Sequence, residues 1–300
     1  MLRHGHGPRG LNANSPKFLK AWFGFRRIST AMGIYVACSG IGIAGCMASV
    51  AIFGSMFNTF VFNAVFVGIA AVVWIAFARM PKAISADKEE FSAAGVKACL
   101  TNKHLMVTSL AMMLFMAAMI TYASQGAAGF EFLGLDPVTA AGWASIMALF
   151  GIPCNFIWTW LADRIGKIKV VLVPVTIIGI VCFTLAWYIG GGFPTLALVC
   201  AGEFFGFAAC AFIKGCVGKI PSIPRKFMGT AGGIQTFFQN LAAYILPGFV
   251  FAPLSGGNYV MMFYIVSIVM VLGVLVVAFL MPEFGAKGKL AQENADKLDA

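Results

Sequence analysis

Eight long apolar runs constrain the fold of this chain more than any other feature. Each run is about 20 residues or longer, the length that a helix needs to cross the hydrocarbon core of a bilayer. Backbone groups in lipid must be hydrogen-bonded within the segment, and barrel strands are shorter and alternate polar with apolar residues, so the runs are predicted to be helices. The sequence therefore predicts an all-α polytopic membrane protein with eight transmembrane helices, near residues 29–53, 58–78, 105–126, 137–161, 170–190, 194–214, 228–251 and 259–281.

The composition supports the same class. Hydrophobic residues make up 60% of the chain and charged residues 11%, whereas soluble domains carry about 25% charged residues. The formal net charge is +10, but the basic residues are divided among five separate segments at the membrane edge. Membrane topology and contact with anionic headgroups explain this distribution better than nucleic-acid binding.

The distribution of Lys and Arg predicts the orientation in the membrane. All 21 of these residues lie before the first run, after the second, fourth and sixth runs, or in the C-terminal tail. The four other connections, at 54–57, 127–136, 191–193 and 252–258, contain none. Because basic loops stay on the cytoplasmic side, both termini are predicted to be cytoplasmic, and the membrane is predicted to be the plasma membrane.

A short internal repeat indicates how the helices are grouped. "TAMGI" at 30–34 matches "TAGGI" at 230–234, and each copy opens a span that leaves the cytoplasmic side. Repeated halves are a feature of transporters, and this offset makes the repeat unit six helices long. The predicted organisation is a cytoplasmic leader at 1–28, two helices of an incomplete first half at 29–78, a cytoplasmic linker at 79–104, a six-helix half at 105–281, and a cytoplasmic tail at 282–300.

The stretch "TWLADRIGKIKVV", residues 159–171, places four charges between two uncharged runs. Gly166 permits a tight turn between two helices, and Asp163 is suited to face the positive N-terminal end of a neighbouring helix. Arg164 and Lys167 are predicted to pair across the bundle with acids or with helix C-termini. Contacts of this kind, formed in one conformation and broken in another, would act as a latch; the alternative is that these residues are ordinary anchors at the membrane surface.

The stretch resembles the loop signature of the major facilitator superfamily, usually written G-x-L-A-D-R-x-G-R-R/K. Thr159 replaces the first glycine, and Lys169 lies one place beyond the second basic residue. Residues 14–42 are similar to the segment joining the fourth and fifth helices of such transporters, although Cys46-Met47 replace the Gly-Pro of many antiporters. The resemblance covers residues 14–283, and the residues that match the signature are Leu161, Ala162, Asp163, Arg164, Gly166 and Lys167.

The resemblance implies secondary transport of a small solute by alternating access. It also implies that the chain holds the last two helices of the first half and all six helices of the second. We therefore expect a truncated or split transporter, with a separately encoded N-terminal half as a possible partner. A channel or membrane scaffold of eight helices, without transport activity of its own, is the alternative.

Glu203 is the main candidate for transport chemistry because it lies about nine residues into the sixth run. A carboxylate near the middle of the bilayer is costly and indicates a functional site. It could carry a proton or bind a cationic group of the substrate; alternatively, it is a protonated side chain hydrogen-bonded between helices. Lys214, three turns further along the same helix face, is predicted to extend to the cytoplasmic edge.

Uncharged polar residues provide weaker candidates for substrate or proton binding. They could equally serve only as hydrogen bonds between helices. Gly142, Gly232 and Gly233 are interpreted as sites of close helix packing. The polar candidates are Tyr122, Gln125, Gln235 and Gln239.

The sequence does not predict an enzyme. Catalysis needs grouped His, Asp, Ser or Cys residues, and the runs contain no His away from a membrane edge. His4 and His6 in the leader are too few for a typical zinc site. We therefore predict no cofactor and no metal, and the expected partners are the lipid bilayer and a small solute of unknown identity, with no nucleic acid.

Overall fold

The computed structural model describes residues 19, 28–53, 55–77, 93–220, 222–224 and 227–288. Nearly all of the predicted leader, including His4 and His6, lies outside the described residues. The same is true of the first part of the predicted linker and of the tail beyond residue 288.

The described chain is a bundle of helices joined by short turns. Two of its spans continue as π-helical segments, at Leu246–Phe251 and Val276–Leu280. The α-helices are α1 (Ile28–Phe53), α2 (Met56–Phe77), α3 (Ala93–Leu100), α4 (Lys103–Phe132), α5 (Pro137–Ile165), α6 (Lys169–Ile189), α7 (Gly192–Gly206), α8 (Ala208–Val217), α9 (Met228–Ile245), α10 (Ala252–Ser255) and α11 (Tyr259–Leu275).

Local sequence accounts for where these helices begin and end. The Asn102 side chain accepts a hydrogen bond from the backbone of Leu105, and Asp136 caps α5 in the same way, followed by proline at its first position. Such caps satisfy backbone donors that lack a partner within the helix. At the other end, Gly190 closes α6 in the left-handed conformation, with φ 71°, which glycine adopts without strain.

Seven helices of the described chain are long and apolar enough to cross a membrane, and a shorter apolar helix lies at Phe57–Val73. α7 and α8 meet at Phe207 and form one of these spans, while α9 continues through the π-helical segment to Ser255. Each of the eight predicted runs overlaps one helix of this set. The predicted all-α polytopic membrane fold is therefore confirmed.

The second part of the predicted linker differs from the expectation because it contains α3. Gly95 and Cys99, one turn apart, are buried on this short helix. The Cys99 thiol lies 3.9 Å from the backbone oxygen of Phe227, at the start of α9. The face of α3 that carries Gly95 and Cys99 thus packs against the bundle near the start of α9.

Aromatic residues form the centre of the six helices that follow the linker. Tyr122 of α4 stacks on Phe183 and Phe263, with ring centroids 4.1 and 4.9 Å away. Trp187 of α6 also stacks on Phe263, with the two ring centroids 4.0 Å apart. Stacked rings bury large areas, so this cluster fixes how α4, α6 and α11 pack.

Close helix packing occurs at other glycines than the sequence suggested. Around Gly142 and Gly233 no atom of the described residues lies within 4 Å of a built Cβ, so these two are not packing sites within the described part of the chain. Within the described part of the six helices, two backbones instead come into close contact at Gly179 of α6 and Gly206 of α7, where a Cβ on Gly179 would lie 2.6 Å from the Gly206 nitrogen.

Gly179→Ala is expected to lower the free energy of unfolding by about 1–3 kcal/mol, the usual cost of overpacking. The contact is with backbone atoms, which cannot move aside as a flexible side chain does. The measurement is the melting temperature of the protein in detergent, with Gly142→Ala as the matched control. Equal melting temperatures for the two variants would contradict the assigned helix contact.

Candidate functional site

The charged stretch forms a tight turn between α5 and α6. Gly166 ends α5 with φ 77° in the left-handed region, and its N–H donates to the Ala162 oxygen at 2.8 Å. α6 begins three residues later at Lys169. We call the end of the bundle that carries this turn, together with the start of α1 and the end of α8, the charged end.

Asp163 links α5 to the first turn of α1. Its Oδ2 atom accepts hydrogen bonds from the backbone N–H and from the hydroxyl of Thr30, both at 2.8 Å. The helix N-terminus carries a partial positive charge that favours an anion. The carboxylate therefore caps a helix that is 133 residues away in the sequence.

Lys219 extends this contact from the turn that follows α8. Its ammonium donates to the Ser29 hydroxyl at 2.7 Å and lies 3.6 Å from Asp163 Oδ1. The side chains of Lys219 and Asp163 are 2% and 10% exposed, so this ion pair is largely shielded from water. Sequence reasoning counted Lys219 only as a basic loop residue, because nothing in its local sequence distinguishes a buried lysine from an exposed one.

α1 and α5 approach each other most closely at Gly33. A Cβ on this glycine would overlap the backbone oxygen of Asn155 and the hydroxyl of Thr159. Thr159 is buried and its hydroxyl donates to the Asn155 oxygen. The helix that lacks the first glycine of the signature thus packs against a glycine on the opposite helix.

The two basic residues of the signature that follow Asp163 do not form the predicted pairs within the described part of the chain. Arg164 is exposed, and its guanidinium lies 5.4 Å above the ring of Trp160, one turn earlier in the same helix. Lys167 is exposed at the turn. The predicted cross-bundle pairing of these two residues is thus not seen among the described residues and stays a prediction.

Glu203 lies inside the six-helix part of the bundle and is only 3% exposed. Its Oε2 atom lies 3.4 Å from where a Cβ on Gly151 of α5 would be, beside the ring of Phe207. Among the described residues, this oxygen has no hydrogen-bond partner. The alternative, a protonated Glu203 hydrogen-bonded between helices, therefore finds no support at this oxygen.

Lys214 is not the edge residue that the sequence suggested. It is 5% exposed, and its ammonium lies 5.4 Å from the centre of the Tyr35 ring. The expected extension to the membrane edge is therefore wrong, since α1 covers this side of α8. Cation–π contact with Tyr35 stabilises the charge there.

The four polar candidates do not converge on a single site. Gln235 donates to the Ile213 oxygen at 3.2 Å and so joins α9 to α8. Gln239 is buried, and its side-chain oxygen has no partner among the described residues. Tyr122 lies in the aromatic cluster, and Gln125 is half-buried one turn further along α4.

A comparison with protein families identifies the class of this protein. The sequence profile of the Major Facilitator Superfamily matches residues 5–247, which include α1 to α9 and the whole charged end, and the match stops within the π-helical segment that follows α9. The chain belongs to the Major Facilitator Superfamily, whose members are membrane transporters. No match is found among curated protein sequences.

Proposed function

We propose that this chain carries a small solute across the plasma membrane by alternating access, coupled to protons, with the charged end and both termini in the cytoplasm. The observation that supports this most directly is the contact of Asp163 with the start of α1. It is polar, it joins two helices distant in sequence, and it can break without disturbing the packing of the six-helix part.

In this proposal, the described conformation is closed at the cytoplasmic side. Asp163, Lys219 and the start of α1 form a gate, and the Gly33 contact allows the two helices to meet. Breaking these contacts would open a path between α1 and the six helices. A permanent channel or an inert scaffold would not need a seal of breakable polar contacts.

Glu203 is proposed to bind the coupling proton. Its unpartnered oxygen is enclosed by Gly151 and Phe207, which leaves room for a proton but not for a solute. Gln239, with its buried unpartnered oxygen, is the best candidate for contact with the solute itself. Gln235, Tyr122 and Gln125 are proposed as further candidates for solute or proton binding that do not form one site with Gln239, and the separately encoded N-terminal half stays a prediction.

Asp163→Asn is expected to open the gate. The substitution removes the charge that favours the N-terminus of α1 and that pairs with Lys219, so the closed conformation loses stability relative to the open one. The reporter is Cys216 of α8, which is fully buried next to the Gly215–Ser29 contact. With the other cysteines replaced by alanine, the labelling rate of Cys216 by a membrane-impermeant maleimide should rise about ten-fold, corresponding to ~1.4 kcal/mol.

Arg164→Gln is the matched control, because it removes a neighbouring charge that does not contact α1. It should leave the labelling rate of Cys216 within about two-fold of the parent protein. If Asp163→Asn and Arg164→Gln behave alike, the gate assigned to Asp163 does not exist.

A further inference from the structure

The segment that follows the last span contacts the start of α6 through one carboxylate. Glu283 Oε1 accepts from the backbone N–H of Ile168 at 2.7 Å, and Oε2 accepts from that of Lys169 at 3.1 Å. The N-cap residue of α6 is Ile168, which has no side chain able to cap the helix. Glu283 therefore supplies from 115 residues away the cap that the local sequence lacks.

Lys169 makes a second contact between α6 and the end of the last span, with a positive charge in place of the carboxylate. Its ammonium donates to the Ala278 oxygen at 2.9 Å, in the π-helical segment that ends the last span. A cation is favourable at the C-terminal end of a helix, where carbonyl groups lack partners. The two helix ends thus exchange charges, and this gives a role to the basic residue that lies one place beyond the family signature.

The same segment also holds the backbone of the turn. The Lys287 N–H donates to the Gly166 oxygen at 2.9 Å. A Cβ on Gly285 would overlap that oxygen and lie 2.7 Å from the Lys167 Cα, so the two backbones are in direct contact. Phe284 is buried, with its ring edge-on to His104, which anchors the segment to the start of α4.

These contacts divide the turn into two sides. Residues 166–169 are held by the segment 278–287, within the six-helix part of the bundle. Asp163, three residues before Gly166, forms the contact with α1. The orientation of Asp163 therefore depends on how firmly the other side of the turn is held.

We propose that Glu283 is a positioning residue of the gate: it fixes the turn so that Asp163 meets the start of α1. This inference rests on the proposed function, because it assigns to Glu283 a role that acts through Asp163. It predicts that loss of the Glu283 cap weakens closure while the six-helix part stays folded.

The test is a double-mutant cycle on the labelling rate of Cys216 in the protein that has no other cysteine. Glu283→Ala should raise this rate roughly five-fold, as expected for the loss of a helix cap. The double variant Glu283→Ala/Asp163→Asn should be labelled no faster than Asp163→Asn alone, because a positioning residue has no effect once its target is gone. Glu131→Ala, an exposed acidic residue at the opposite end of α4, is the control and should leave the rate unchanged.

The outcomes separate this inference from the proposed function. Multiplicative effects in the double variant, or an unchanged rate in Glu283→Ala, would overturn the role of Glu283 while leaving the gate in place. An unchanged rate in Asp163→Asn would overturn the gate itself and the inference with it. If Glu283→Ala does not fold, Glu283→Gln keeps one oxygen acceptor and is used in the same cycle with the same criteria.

Discussion

Glu203→Gln is expected to abolish proton-coupled transport in reconstituted vesicles. The substitution keeps the size and polarity of the side chain but removes the group that can gain and lose a proton. The measurement is the change in internal pH, read with an entrapped dye, when carboxylic acids, amino acids, sugars or amines are added outside. At least one class should drive protons across the membrane with the parent protein and none with Glu203→Gln.

The control for this prediction is Glu131→Gln, which changes an exposed carboxylate at the end of α4. It should transport protons like the parent protein. Infrared difference spectra across a pH titration give a second readout that needs no solute. A carbonyl band from a protonated carboxyl group in apolar surroundings should be present in the parent protein and in Glu131→Gln and absent from Glu203→Gln; a band that persists in Glu203→Gln would exclude Glu203 as the proton site.

Gly33→Ala is expected to hold the charged end open. The added Cβ would overlap the Asn155 oxygen and the Thr159 hydroxyl, so α1 could no longer approach α5 closely enough for Thr30 to reach Asp163. Overpacking against rigid atoms costs about 2–3 kcal/mol. The labelling rate of Cys216 should therefore rise roughly 30- to 160-fold relative to the parent protein.

Gly42→Ala is the matched control on the same helix, since no atom of the described residues lies within 4 Å of a Cβ built there. It should leave the labelling rate unchanged, because no contact is lost and alanine does not weaken the helix relative to glycine. Adding Thr159→Gly to Gly33→Ala removes one of the two overlaps and leaves the backbone overlap, so partial recovery is expected. Similar rates for Gly33→Ala and Gly42→Ala would show that the helices do not meet at Gly33.

The spans and the tight turn at Gly166 follow from short-range rules and were predictable from the sequence. Twenty apolar residues in lipid have no alternative to a helix, and a glycine after a helix of this kind has a strong preference for the left-handed end. The suitability of Asp163 for a helix N-terminus also follows from charge alone. The identity of that helix does not, because Thr30 lies 133 residues away and many helix ends are available at the same membrane surface.

The roles of three lysines show most clearly what could not be predicted from the sequence. Lys214, Lys219 and Lys169 all belong to the same one-sided charge pattern, and the sequence treats them alike. In the structure, Lys214 lies over Tyr35, Lys219 pairs with Asp163, and Lys169 reaches the end of the last span. Which basic residue is buried depends on the helix that covers it, and that is a property of packing.

The sequence by itself determined that this protein is a helical membrane bundle with a charged turn of the Major Facilitator type, because hydropathy, charge bias and helix-ending signals act over a few residues. Only the tertiary structure decided that Gly33 takes the place of the missing glycine at position 159, that Asp163 caps α1, and that Glu283 caps α6. Each of these depends on atoms from distant parts of the chain meeting within a few ångströms. Helix packing alone brings them to that distance.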